Sequence, residues 1–259
     1  IITPIGRSVS ENREALREGR NGLSSLEQFP TKYASLLPFG EIKISNETFR
    51  QQLQVTEKGV TRTTFLALHA FQQAIADSGL SANELQSSGT ALIGGNTIGG
   101  MCLSDELYMD SNKNEVGSEY ISSYYLASVN MYIQQRYGIG GVVNTFNTAC
   151  SSSANAIMYG AMLINNGFAK RAIVGGTDSL AKFTINGFHA LHILSSERCT
   201  PFDEHRKGLN LGEGAAFLLL EKEEDIAGKK VYAELSGYCN ANDAFHPSSL
   251  SDKGDGPFN

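Results

Sequence analysis

Asn147-Thr148-Ala149-Cys150-Ser151-Ser152-Ser153 is the stretch whose reading decides this chain. Upstream, Gly141 to Phe146 is rich in β-branched and aromatic residues, which predicts a strand. Downstream, Ala154 to Ile164 carries helix formers with apolar residues at helical spacing, and Asn165-Asn166-Gly167 stops it. Cys150 is therefore expected where the strand ends and the helix begins. Unpaired backbone N–H groups and the positive end of the helix dipole then point at its sulfur. That setting lowers a thiol pKa and favours the thiolate, the form that attacks carbonyls. One of those N–H groups can also help to hold a developing oxyanion. The competing reading is a buried, apolar cysteine without chemistry.

Working outward, 259 residues give one large domain or two modest ones with ample length for a core. Apolar residues make up 41% and charged residues 19%, and the 27 glycines fit an α/β protein with many tight turns. A formal charge of −6 without a basic cluster gives no support to nucleic-acid binding. No apolar run reaches the roughly 18 residues that a membrane span needs. Cys102, Cys150, Cys199 and Cys239 are far apart and lack CxxC spacing, so neither a zinc site nor a disulfide framework is expected. The opening Ile1-Ile2-Thr3-Pro4 has no basic-then-apolar signal pattern, which makes a reducing cytoplasm the default. Ile1 starts inside what reads as a strand and Asn259 follows a Gly-rich loop, so both ends read as cut.

Along the chain, a short charged helix is expected over 11–20, ended by Asn21-Gly22, and irregular structure over 24–48. Phe65, Leu68, Phe71 and Ile75 recur at helical steps and predict an amphipathic helix from Thr61 to Ser78, capped by Gly79. His69 within it reads as a partly buried structural histidine. Ala91-Leu92-Ile93 is a short buried strand followed by Gly94-Gly95-Asn96-Thr97-Ile98-Gly99-Gly100. That run lacks the lysine of a P-loop and the acidic residue of a dinucleotide fold, so its glycines are read as room for close backbone packing beside a site. Helix is expected over 120–137 and a buried strand over Arg171 to Gly176. A helical, loop-containing stretch runs from Asp178 to Leu194, with His189 and His192 read as structural. Thr200 to Asp203 reads as a turn, Ala215 to Leu220 as a strand, and Val231 to Gly237 as a further strand. The alternation argues a layered α/β architecture with a largely buried sheet.

Five blocks then stand together in order. They are Asn147-Thr148-Ala149-Cys150-Ser151-Ser152, Ile173-Val174-Gly175-Gly176-Thr177-Asp178, Pro201-Phe202-Asp203 with Arg206, Gly212-Glu213-Gly214-Ala215, and Asp243-Ala244-Phe245-His246. In these the chain resembles the β-ketoacyl synthases, the condensing enzymes of fatty acid and polyketide assembly, over nearly its whole length. The resemblance implies an α/β, thiolase-like layered αβαβα fold. Residues 1–230 would be the N-terminal half carrying the nucleophile, and 231–259 the start of the C-terminal half.

By the same resemblance, Cys150 accepts an acyl chain from the phosphopantetheine thioester of an acyl carrier protein. No separate cofactor and no metal are implied. Ile98 and Phe188 fall where the family lines its acyl pocket, and His246 on a mobile loop near the substrate entrance. Leu209 stands where the loop beginning at Gly208 usually carries an aromatic. Ser151 to Ser153 and the Leu209 loop are also similar to ketosynthases of polyene-type pathways. The family's two active-site histidines are expected beyond Asn259, since none of this chain's five histidines sits in a matching block. Condensation of the acyl chain with a malonyl thioester, with loss of CO2, would need them. The resemblance further implies a homodimer, with the strand before Cys150 pairing across a two-fold axis. Two other readings stand beside this one. One is a non-condensing chain-length partner in a ketosynthase-like heterodimer, although such partners generally lack the nucleophile. The other is a thiol hydrolase, for which no Cys–His pairing can be assigned.

Overall fold

The computed structural model describes residues 1–113, 118, 120–226, 228–246 and 250–258. The helices are α1 (Val9–Arg17), α2 (Asn46–Gln52), α3 (Arg62–Ser78), α4 (Ala82–Gln86), α5 (Ser104–Ser111), α6 (Ile121–Tyr124), α7 (Ser128–Tyr137), α8 (Ser152–Asn165), α9 (Lys182–Ala190) and α10 (Asp255–Phe258). The strands are β1 (Leu23–Ser24), β2 (Phe39–Gly40), β3 (Thr90–Gly95), β4 (Val143–Phe146), β5 (Arg171–Asp178) and β6 (Gly214–Glu221). Two compact units result, Ile1–Glu223 and Glu224–Asn259.

In the first unit a four-stranded sheet runs in the order β4-β3-β5-β6. β3 is parallel to both β4 and β5, and β6 returns antiparallel to β5. Every residue of β3 is buried, because helices cover both faces of the sheet. Side-chain alternation sorts the strand between two cores. Leu92 and Ile173 face a cluster with Phe65, Leu66, Leu68 and Phe71 of α3 and Val129 and Ile133 of α7. Ala91, Ile93, Ala172 and Val174 face Ala156, Leu163 and Ile164 of α8. Burying each large α3 side chain stabilises the fold by about 2 kcal/mol. A smaller third core joins Leu26, Tyr33 and Phe39 to Leu180 and Ile185.

The periodic expectation for α3 matches its observed span, and both caps are visible. Thr61 Oγ1 accepts from Thr64 N–H, and Gly79 closes the helix in the left-handed region at φ +66°. His69 Nε2 donates to the Arg7 carbonyl at 3.0 Å, and its ring lies edge-on to Phe49. Three expectations are corrected. The first helix ends at Arg17, because Gly19 turns the chain at φ +66° before Asn21. Helix over 120–137 divides into α6 and α7, with Tyr125 extended between them. No strand forms over 231–237. Val231, Tyr232 and Leu235 are exposed, and among the described residues no neighbouring strand takes up that segment's backbone groups. Alternating apolar residues alone do not make a ladder. No helix among the described residues is long and apolar enough to cross a membrane.

A candidate acyl-transfer site at the strand ends

Parallel β3, β4 and β5 finish at one edge of the sheet, and β6 starts there, with Asp178 opposite Gly214. Ligand sites of open α/β sheets gather at that edge because the connecting loops converge on it. Two residues after β4 the chain enters a 3-10 turn, Ala149–Ser151, and then α8. The expected strand-to-helix junction is therefore present, and Cys150 lies in it, exposed. It is not the buried apolar cysteine of the competing reading.

Presenting Cys150 requires an unusual backbone. Ala149 sits at φ +52°, a left-handed conformation costing a non-glycine residue about 1 kcal/mol or more. A set of short polar contacts holds it. Ser152 Oγ donates to the Ala149 carbonyl at 2.7 Å and accepts from Thr148 N–H at 3.0 Å. Ser151 Oγ donates to the Thr148 carbonyl at 2.8 Å. The buried Asn155 amide donates to Thr148 Oγ1 at 2.7 Å and to Ser151 Oγ at 3.2 Å, bridging both sides of the cysteine. Close approach from the sheet also matters. A Cβ on Gly95 would lie 2.5 Å from the Ser152 carbonyl carbon, and one on Gly176 would lie 1.9 Å from Ser153 Oγ. The glycines at the ends of β3 and β5 thus let the start of α8 settle onto the sheet, the packing role expected for the run at 94–100.

Of the four other residues singled out in the sequence, Ile98, Phe188 and Leu209 lie in the same unit as Cys150. Ile98 follows β3 and is buried. Asp178 fixes its loop: Oδ1 accepts from Thr97 N–H and Ile98 N–H, and Oδ2 accepts from Thr97 Oγ1, all at 2.8 Å. Burial pushes the Asp178 carboxyl pKa up, against those three hydrogen bonds. Phe188 is half-buried on α9, which packs on the 3-10 turn Met101–Leu103 at the end of the Ile98 loop. Leu209 precedes β6. Its N–H donates to the Ile193 carbonyl at 2.9 Å and its carbonyl accepts from Ser195 N–H at 3.0 Å, leaving the side chain exposed. His246 belongs to the second unit and is exposed there. The His189 ring lies tilted against Tyr33, with ring centroids 4.5 Å apart, and His192 is 6.5 Å from His189. Among the described residues no group of three His, Cys, Asp or Glu side chains is placed to hold a metal ion.

Sequence reasoning missed the buried frame beneath this edge. Glu213, fully buried, accepts from Arg62 Nε and Nη2, from Ile42 N–H and from Leu180 N–H. Arg62 in turn donates to the Ile42 and Ile44 carbonyls. The Glu213 block was visible in the sequence, but its arginine is 151 residues away. Cys102 drew notice in the sequence only for its spacing from the other cysteines. Burial pushes its thiol pKa up, and Arg62 and Thr63 at the start of α3 and Ser179 pull the other way.

Known proteins resemble this chain over most of its length. The profile of the β-ketoacyl synthase N-terminal domain matches residues 1–226. A 3-oxoacyl-[acyl-carrier-protein] synthase 2 from Synechocystis is 32% identical over 258 residues, covering 95% of this chain and 62% of that protein. Among solved structures, the ishigamide ketosynthase/chain length factor superposes with a TM-score of 0.86 at 25% identity, covering 95% of this chain and 62% of the other. A ketosynthase from Xenorhabdus doucetiae in complex with its chain length factor gives 0.77 at 26% identity, covering 99% and 63%. The chain thus spans a little under two thirds of the length of these proteins, and its layered α/β fold is the thiolase-like fold of ketosynthases. With the profile covering most of the sequence and the cysteine turn built at the strand ends, this chain belongs to the β-ketoacyl synthase family, of which it carries the N-terminal domain.

Proposed function

We propose that this chain is the nucleophile-bearing part of a β-ketoacyl-acyl carrier protein synthase of fatty acid or polyketide biosynthesis. The observation that carries the reading is the exposed Cys150 in a tightly held turn at the start of α8, inside a family-matched sequence. Cys150 thiolate attacks the carbonyl of an acyl thioester on the phosphopantetheine arm of an acyl carrier protein. The tetrahedral intermediate collapses, the carrier thiol leaves, and the acyl group remains on the Cys150 sulfur. Backbone N–H groups of the 149–152 turn are the candidates for holding the oxyanion. In the second half-reaction a malonyl thioester loses CO2, and its enolate carbon attacks the acyl-Cys150 carbonyl and expels the thiolate. That step draws on the family's two histidines, which no block of this chain matches.

Ile98 and Phe188 are assigned to the acyl pocket, Leu209 to its inner loop and His246 to the entrance. Residues 1–230 are assigned to the N-terminal half and 231–259 to the beginning of the next. Four free cysteines support a reducing compartment, the cytoplasm. For assembly, β4 is an edge strand that pairs only with β3 among the described residues. Its free edge supports dimerisation through the strand before the nucleophile, with a second copy or a ketosynthase-like chain length partner. The intact Cys150 favours the condensing role over that of the partner itself.

Intact-mass measurement after incubation with an acyl-pantetheine thioester tests the reading. The expected result is one acyl adduct that is absent from Cys150→Ala. Folded protein that takes no adduct, or an adduct that survives in Cys150→Ala, would overturn it.

A further inference from the structure

The sheet that leads to Cys150 ends on one side in a bare strand. β4 takes β3 along one edge, and among the described residues no strand lies along the other. Leu92 N–H donates to the Val142 carbonyl at 2.8 Å, and Asn96 N–H to the Phe146 carbonyl at 3.2 Å. The even-numbered residues therefore turn their backbone groups to β3. Successive residues of a strand face opposite edges, which leaves Val143 and Thr145 facing the free one. Edge strands of soluble proteins are blunted by charges, prolines or bulges. Gly141 to Thr148 contains neither a charge nor a proline. A single side chain meets the edge instead: Asn144 Oδ1 accepts from Thr145 N–H at 2.8 Å.

The strand beneath that side chain is held from the sheet face. Buried Asn130 of α7 donates from Nδ2 to the Asn144 carbonyl at 2.9 Å and to Thr145 Oγ1 at 2.8 Å. It lies over Gly94, where a Cβ would come within 2.4 Å of Asn130 Oδ1. The exposed Asn144 side chain can thus leave without moving the backbone that carries it. We propose that Asn144 is a removable plug for the β4 edge, satisfying the Thr145 N–H while the edge is bare and swinging away when β4 of a second copy pairs there. This rests on the reading of β4 as a dimerisation strand. A two-fold axis through Asn144 sets Val143 of one copy antiparallel to and opposite Thr145 of the other. Residues opposed in that way exchange both of their N–H···O bonds, so the pairing makes more bonds than the plugs it displaces. A strand that meets the edge out of register offers fewer, and the plug holds against it.

Wild type and Asn144→Ala are followed by fluorescence-detected sedimentation from nanomolar to micromolar concentration. Hydrogen exchange at the Thr145 amide is read by residue-resolved mass spectrometry at both extremes. Alanine, like asparagine, is depleted in strands, so β propensity contributes little to the comparison. Without plugs to displace, the Asn144→Ala dimer has a dissociation constant about tenfold lower than wild type, each plug being a hydrogen bond of ordinary net strength. In the monomer, Thr145 exchanges about fivefold faster in Asn144→Ala than in wild type, and in the dimer it is protected in both. Where wild type is still dimeric at the lowest concentration, subunit exchange between labelled copies replaces dilution, and Asn144→Ala slows it. An unchanged dissociation constant or exchange rate, or monomer Thr145 exchange that ignores the substitution, overturns the plug and leaves the dimerisation strand standing. A wild type that stays monomeric throughout, or that dimerises with Thr145 unprotected, overturns the strand-edge reading and the proposal with it.

Discussion

Cys102 and Cys150 follow neighbouring parallel strands of one sheet, and each lies in a 3-10 turn. Each also stands at the beginning of a helix, Cys102 against the first N–H groups of α3 and Cys150 on the entry to α8. Their environments diverge from there. The Cys102 sulfur lies near Arg62, Thr63 and Ser179, and burial raises its pKa against the opposing pull of those three residues. Cys150 is exposed, and the polar contacts of its turn go to backbone and hydroxyl groups beside it. Helix N–H groups help a thiolate only where its charge keeps enough solvation to exist. Exposure, more than proximity to a helix start, separates a reactive thiol from a structural one.

The sharpest test of that contrast is chemical labelling. Iodoacetamide at neutral pH should modify Cys150 at least about tenfold faster than Cys102, as peptide mass mapping over time would show. Equal rates, or Cys102 reacting first, would break the comparison.

A second test breaks one side of it only. Glu213 pairs with Arg62, the residue whose backbone N–H meets the Cys102 sulfur. Glu213→Ala leaves the Arg62 guanidinium buried and unpaired, which costs about 3–5 kcal/mol in such settings. The variant should melt far below wild type, and Cys102 should become accessible to iodoacetamide under conditions where the wild-type residue is protected. Glu213→Gln keeps acceptors for the Ile42 and Leu180 N–H groups and should lose less. A Glu213→Ala protein with wild-type melting would mean that the network contributes nothing.

These two cysteines also mark where the sequence was legible. The Cys150 junction could be read because its determinants are local: β-branched residues before it, helix formers after it, and small residues between. The same holds for α3, whose caps Thr61 and Gly79 adjoin its apolar period. Cys102 could not be read, since its partners at 62, 63 and 179 come from distant parts of the chain. Arg62 and Glu213 were opaque for the same reason, and a charged residue at a helix start gives no sign that it will be buried. The error at 231–237 runs the other way. There the local pattern was adequate, but a strand also needs a neighbour, which no local pattern supplies. The site residues divide likewise. The resemblance named Ile98, whereas Asp178, which holds it, emerged only from the hydrogen bonds across the sheet edge.

On the Cys150 side, Asn155 is the lever. Asn155→Ala removes two donors to Thr148 and Ser151, each worth about 1 kcal/mol. Ala149 then loses part of what holds it at positive φ. The maximal rate of Cys150 acylation should fall several-fold and the melting temperature by a few degrees, while Cys102 labelling stays as in wild type. If the half-saturating thioester concentration rose and the maximal rate held, Asn155 would be serving binding rather than the turn.

The smallest effect concerns pH. Burial raises the Cys102 thiol above its ordinary value of 9.0. A group whose folded pKa is raised contributes stability that is complete below the unfolded pKa and is lost as pH rises through the folded value. Above about pH 9 the unfolded chain gains from ionising this thiol before the folded chain can. Wild-type stability should therefore decline more steeply through the alkaline range than that of Cys102→Ala, a variant that no longer carries the group. Urea midpoints measured at about pH 8 and about pH 10 read this as a gap between the two proteins that narrows with rising pH. A constant gap would mean that the Cys102 sulfur ionises as readily in the folded chain as in the unfolded one.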